Sequence, residues 1–424
     1  MSPLAGKYLN YFEALNTQLR HTPRQGLHLR WQQSPAFACL RCGQGCRTPW
    51  RVEVSQSYFE TWGPRLAAFF QAPLETLLEK RQEPESGSKF APERFATLKK
   101  NPQDPVACVF LNEDQLCRIH LEMGPEAKPP VCWQYPLNGS GMHWQFYLSE
   151  GLALSCRGVG QDLDQPAELK HRWLPLSPQA PPQVAFRFSP QGLLSRQAFH
   201  LVLGAALDLL DAPISHWLTR LETLLRTAFL LRRAVYEPPH IRVLAAQAAT
   251  ALPGPLNATE LVLARDFLTT GAIGAKADLQ AFKHWLSSAT LAQPLSHNQA
   301  EALAPALKGW LQRQIIAANH LLTGDLSFLQ QGLVWAVEVI LVSYYRRFLA
   351  ETSPELSDQA QQVKAINQIY AHLVQDHFPP AIRIYQGLSP EENLEILAAL
   401  APLWHTLWHR PSPPAGSTHI NPTA

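Results

Sequence analysis

Three cysteines stand close together near the start of this chain, in Cys39-Leu40-Arg41-Cys42-Gly43-Gln44-Gly45-Cys46. Two thiolates separated by two residues can reach one metal from a single tight turn. Gly43 and Gly45 let the backbone fold closely around an ion or cluster, with amide N–H groups turned toward the sulfurs. One disulfide cannot satisfy three thiols, so metal binding leads over a redox dithiol or inert packing. The other four cysteines are Cys108, Cys117, Cys132 and Cys156, and residues 157–424 contain none. Confinement to so narrow a window calls for a chemical cause. In a reducing compartment that cause is more often metal binding or catalysis than a disulfide framework.

The segments around the later cysteines suggest how they would be presented. Residues 106–110 and 116–119 read as two strands joined by the polar turn Asn112-Glu113-Asp114-Gln115, which would bring Cys108 and Cys117 to one neighbourhood. Cys132 follows Pro129-Pro130, which hold the chain extended, and precedes Pro136. Residues 144–148 and 152–155 read as a further hairpin, with Cys156 at its end. Taken alone, each of these four cysteines is a small buried hydrophobe. Taken with the triplet, they form a candidate ligand set of Cys39, Cys42, Cys46, Cys108, Cys117, Cys132 and Cys156. Four thiolates suit a tetrahedral zinc or an iron–sulfur cluster. His120 is a further ligand candidate or a hydrogen-bonded support for one. Trp133, Tyr135 and Trp144 would shield the site or fill the core. Arg47 and Arg118 would offset thiolate charge or stay solvated.

The order of these landmarks resembles the YkgJ-type cysteine-cluster family, described as a zinc- or iron-chelating domain, to which flagellin lysine N-methylases belong. The matching stretches are Phe37-Ala38-Cys39-Leu40-Arg41-Cys42-Gly43 with Cys46-Arg47, then Cys108-Val109-Phe110-Leu111, then Leu116-Cys117-Arg118-Ile119-His120. Gly124, Ala127-Lys128-Pro129, Cys132 with Tyr135-Pro136, and Leu154-Ser155-Cys156 complete them, over residues 37–158. The chain departs at Gly45-Cys46, where the family usually has two adjacent cysteines, so it has one ligand fewer. The resemblance implies an iron–sulfur cluster, of the 4Fe–4S kind, in preference to zinc. It also implies an alternative activity, an S-adenosylmethionine-dependent protein-lysine N-methyltransferase acting on a protein substrate. No motif supports that alternative: Gly139-Ser140-Gly141 and Gly158-Val159-Gly160 lack the strand–glycine–helix setting of a cofactor loop. No catalytic residue is assigned.

Around the cysteines the pattern predicts an α+β chain: a small cysteine-rich metal-binding N-terminal domain followed by a mostly α-helical bundle. The divisions are 1–165 for the cysteine-cluster domain, 166–192 for a Pro-rich linker, 193–410 for the helical domain and 411–424 for a disordered tail. Residues 51–54 alternate like a strand, and Ser55 is placed to cap the helix that follows. Apolar residues recur at helical spacing over 199–210, 217–231, 261–267 and 310–322. Asn257 with Glu260, and Ser389 with Glu392, form capping boxes. Arg232-Arg233 and Arg346-Arg347 read as helix-terminal cations.

The composition narrows the partners. Hydrophobic residues make up 46% and charged residues 17%, with a formal net charge of +2. That balance fits a soluble globular chain and offers no basic face for nucleic acid. Residues 333–342 form the most apolar run, broken by Glu338 and far short of the ~20 residues a membrane span takes. They read as a buried core helix. The first ten residues show no apolar run followed by a small-residue cleavage site. The expectation is a cytoplasmic metal-cluster protein, with no nucleic-acid or membrane partner, whose cluster organises a small domain for protein-partner binding or for handling metal or electrons.

Overall fold

The computed structural model describes residues 6–22, 25–32, 42–47, 51–85, 94–135, 141–143, 146–148, 163, 168–175, 186–189, 192–211, 213–230, 235–252, 254–255, 257–269, 279–288, 291, 293–317, 326–370 and 385–408. Helices predominate, accompanied by short strands.

The chain begins with helix α1 (Lys7–His21) and strand β1 (Gln25–Gln32). Short elements follow: β2 (Glu53–Val54), α2 (Gln56–Phe70), α3 (Leu74–Leu77), β3 (Leu78–Glu85), β4 (Arg94–Leu98), β5 (Lys100–Asn101) and β6 (Asp104–Cys108). Next come α4 (Arg118–Met123), α5 (Pro130–Gln134), β7 (Gly141–His143), β8 (Phe146–Leu148) and β9 (Glu168–Pro175). As the sequence predicts, Ser55 caps α2, its side chain accepting from the Tyr58 amide at 3.2 Å. The helical part contains β10 (Leu193–Leu194), α6 (Arg196–Asp208), α7 (Ile214–Leu230), β11 (Val235–Tyr236), α8 (Pro238–Ala249) and α9 (Ala258–Asp266). It continues through α10 (Gln280–Ser288), α11 (His297–Ala317), α12 (Phe328–Thr352), α13 (Asp358–Tyr370) and α14 (Pro390–Trp408). Both expected capping boxes form: Asn257 accepts from the Glu260 amide at 2.9 Å, and Ser389 from that of Glu392 at 3.1 Å.

Two hydrophobic cores divide the described residues, and the division differs from the one the sequence suggests. The larger core combines the helical part with α1, with Leu27 and Leu29 of β1, and with Leu169 of β9. The smaller core runs from Val54 to Ala127 and contains Cys108. Thus α1 and β1 belong with the helices, although they precede the cysteines. Helix α1 buries Tyr8, Leu9, Phe12, Leu15 and Leu19 on one face against α6. The Asp208 carboxylate accepts from the Tyr8 and Leu9 amides at 2.8 and 2.9 Å. It thereby satisfies first-turn donors that have no partner within the helix.

Part of the expected linker is also structured. Strand β9 lies antiparallel along all of β1, from Gln25 opposite Pro175 to Gln32 opposite Glu168. The four-stranded order is β7-β8-β1-β9, with β8 parallel to β1. Its hairpin joins β8 to the preceding β7, whereas residues 152–155, the expected partner, lie outside the described residues. Residues 116–119 do not form a strand: a single bridge pairs Leu111 with Cys117, and α4 starts at Arg118. The apolar run 333–342 lies inside α12 and is fully buried, as a core helix should be. Among the described residues no helix is long and apolar enough to cross a membrane. Arg346 is corrected from a helix-terminal cation to a buried one, bonded to Gln361 and Asp358. Residues 232–233 and 409–424 lie outside the described residues.

Candidate metal centre

Cys42 and Cys46 flank a turn that glycine makes possible. Gly43 has φ +64°, a left-handed conformation that L side chains rarely adopt. The Cys46 amide donates to the Gly43 carbonyl at 2.8 Å and closes the turn. A Cβ on Gly43 would lie 3.0 Å from both Cβ and Oε1 of Gln115, so this turn sits directly on the one before Cys117. A Cβ on Gly45 would lie 2.6 Å from the Tyr135 ring. The same turn therefore also abuts the segment that follows Cys132.

The other cysteines are presented by short elements of the smaller core. Cys108 ends β6, and its carbonyl accepts from the Leu111 amide at 3.0 Å. The chain then reverses through Asn112, whose side chain accepts from the Leu116 amide at 2.8 Å. The Arg118 amide donates to the Phe110 carbonyl at 2.8 Å, which fixes Cys117 at the entry to α4. Pro129 and Pro130 start α5, where the Cys132 amide donates to the Pro129 carbonyl at 2.8 Å. Cys108 is buried in the smaller core, and Cys46, Cys117 and Cys132 pack against it.

Burial governs the electrostatics. It pushes the Cys46 thiol up to about 12, aided by the neighbouring Cys108 and Cys117 and opposed by Lys128 and Lys100. Burial likewise raises Cys108, with Cys117 adding to the shift. Cys132 is raised by burial, then by Cys108 and Cys46. Cys46, Cys108 and Cys132 thus each sense neighbouring sulfurs, Cys117 among them, in a desolvated setting, with two ammonium groups offsetting the charge. Lys100 stands opposite Cys108 in the β5–β6 pair. Tyr58 donates its hydroxyl to the Ala127 carbonyl at 2.7 Å, and burial followed by the charges of Cys132, Cys117 and Cys108 raises its pKa.

The described cysteines Cys42, Cys46, Cys108, Cys117 and Cys132 are free thiols. Among the described residues, no three Cys, His, Asp or Glu side chains converge closely enough to hold an ion. The four sulfurs around the small core are grouped without closing on a point. Cys39 and Cys156 lie outside the described residues, as does Trp144, and nothing is described of the Trp133 side chain. His120 is exposed on α4. Arg118 lies over the Phe70 ring of α2 at 4.5 Å and pairs with Glu122 at 3.3 Å. Arg47 reaches across the site to Gln115 and Asp104.

Lys100, Lys128, Tyr58, Gln115 and Asp104 join the site although the sequence assigned none of them a part in it; Gln115 was read only as part of a turn. The order Ala127-Lys128-Pro129 was a signal for Lys128. For Lys100 the signal would have been the β5–β6 register, which its two-residue strand hides. Comparison of the chain with protein-family models, with curated proteins and with solved structures gave no match.

Proposed function

We propose that this chain binds a metal cluster through its cysteines, iron–sulfur in preference to zinc, and uses it to organise the small unit for partner binding or for handling metal or electrons. The observation that carries this reading is the gathering of Cys46, Cys108, Cys117 and Cys132, from separate segments, around one small core. The donor chemistry fits: soft sulfur ligands, removed from water, with Lys100 and Lys128 beside them, suit zinc or an iron–sulfur cluster rather than a hard cation. Cys42 shares the turn of Cys46, and Cys39 and Cys156 complete the candidate set. Because burial holds Cys46, Cys108 and Cys132 in the thiol form, metal must displace protons on entering, and occupancy should rise with pH. An iron–sulfur cluster would supply one-electron chemistry, and the protein's own groups would set its burial and charge. The YkgJ-type resemblance agrees with this reading, which places the chain in a reducing, cytoplasmic setting. The alternative, an S-adenosylmethionine-dependent protein-lysine N-methyltransferase, has only that resemblance behind it.

Protein purified without air should be brown and contain iron matched by labile sulfide. Stoichiometric zinc without sulfide would overturn the iron–sulfur choice and leave the site standing. Neither metal, with all seven thiols free in an intact fold, would overturn the reading.

A further inference from the structure

Arg47 leaves the cysteine turn immediately after Cys46 and contacts both of the neighbouring segments. Its Nε donates to Gln115 Oε1 at 2.7 Å, and its Nη1 pairs with the Asp104 carboxylate. Asp104 opens β6, the strand that ends on Cys108. Gln115 lies in the turn that delivers Cys117. We propose that Arg47 is a positioning residue whose guanidinium fork sets the three cysteine-bearing segments in register; this rests on the metal-site reading above.

Three further observations carry it. Gln115 has φ +63°, and its Nε2 donates to the Glu113 carbonyl at 3.3 Å, which leaves Oε1 to accept from Arg47. Gly43 packs against the same side chain, so the cysteine turn meets Gln115 both through the guanidinium and through a close backbone approach that a Cβ at a positive φ would crowd. The side chains of Arg47 and Asp104 are 36% and 34% exposed, whereas Cys108 is only 9% exposed. The fork therefore lies on the wet side of the site and Cys108 on its buried side. A planar guanidinium serves two acceptors in fixed directions, which an ammonium on a flexible stem does not.

The test uses the full chain as isolated, with whatever metal it holds, treated with iodoacetamide and read peptide by peptide by mass spectrometry. Arg47→Met should raise the alkylation rate of Cys46 relative to Cys132 by about fivefold, the scale of one half-exposed ion pair. Arg47→Lys should fall between the variant and the wild type. Titration with cadmium, followed by thiolate-to-cadmium absorption, should show weaker binding by a similar factor. An unchanged Cys46-to-Cys132 ratio in Arg47→Met would overturn the proposal. So would a parallel rise at every cysteine with a lower thermal midpoint, which marks general loosening. A wild-type chain without thiolate-to-cadmium absorption would instead overturn the metal-site reading, and the alkylation ratio would still decide the role of Arg47.

Discussion

At the scale of single residues, chemistry and packing place charge in two very different settings. The cysteines gather where Lys100 and Lys128 offset them. Glu338 lies in the middle of α12, 3% exposed, and its Oε2 has no hydrogen-bond partner among the described residues. Burial raises its carboxyl to about 8, and its charge in turn pushes the buried Tyr385 hydroxyl upward. Between the ordinary carboxylate pKa and about 8 the folded chain holds a proton that the unfolded chain has released, so stability falls as pH rises through that window. The loss should be on the order of a few kcal/mol. Buried His200 works in the opposite sense: burial lowers it to about 3, so it removes stability as pH falls below its ordinary value. The difference between wild type and Glu338→Gln isolates the carboxyl. In urea unfolding, that difference should grow in favour of the glutamine variant from pH 5 to pH 8 and then level off. A pH-independent difference would mean that Glu338 keeps a near-ordinary pKa. The cysteine cluster was legible in the sequence because thiols carry their chemistry in their type and spacing. Gln115 and Lys100 were not, because their roles depend on a positive φ and on strand register.

At the scale of elements, the sequence revealed periodicity better than partnership. Residues 199–210, 217–231 and 261–267 fall largely on α6, α7 and α9, because an apolar stripe of helical period specifies its own element. The later part of 310–322 lies outside the described residues. Strand β9 was hidden because prolines surround it and its partner β1 lies far back in the chain. Residues 116–119 contain Leu116 and Ile119, whose spacing serves a strand or a short helix equally, and α4 took Arg118 and Ile119. The same long-range logic governs α1, whose contact with α6 depends on one small residue. A Cβ on Gly204 would lie 3.0 Å from the Tyr8 carbonyl oxygen and 3.1 Å from Leu9 Cα and N. These are backbone atoms and cannot rotate away. Gly204→Val should force the two helices apart and cost about 1–3 kcal/mol, as overpacking of a tight interior does. Denaturant unfolding measures this directly, and a loss within experimental error would show that α1 is not clamped on α6.

At the scale of the whole molecule, the two cores differ greatly in what holds them. The larger combines α1, β1 and the long helices around four fully buried tryptophans, Trp217, Trp310, Trp335 and Trp404. The smaller rests on short strands and short helices around residues such as Val54, Leu66, Phe95 and Phe110. A small apolar core supplies little net stability once chain entropy is offset, which is why units of that size commonly depend on a metal or another staple. Structural metal contributes on the order of 10 kcal/mol to domains built around it. Whole proteins are stable by only about 5–15 kcal/mol. If the proposed metal cluster is that staple, removing it should open the smaller core and leave the larger one folded. Hydrogen exchange read by peptide separates the two. After chelation, peptides from 94–98 and 104–132 should lose protection, whereas those from 198–207, 217–228 and 328–349 should keep it. The telling peptide is 7–21, which precedes every cysteine but packs in the larger core. If it stays protected with the helices, sequence order and folding unit part company as the two cores require. If it exchanges together with 104–132, α1 belongs to the cysteine unit and the division into cores is wrong.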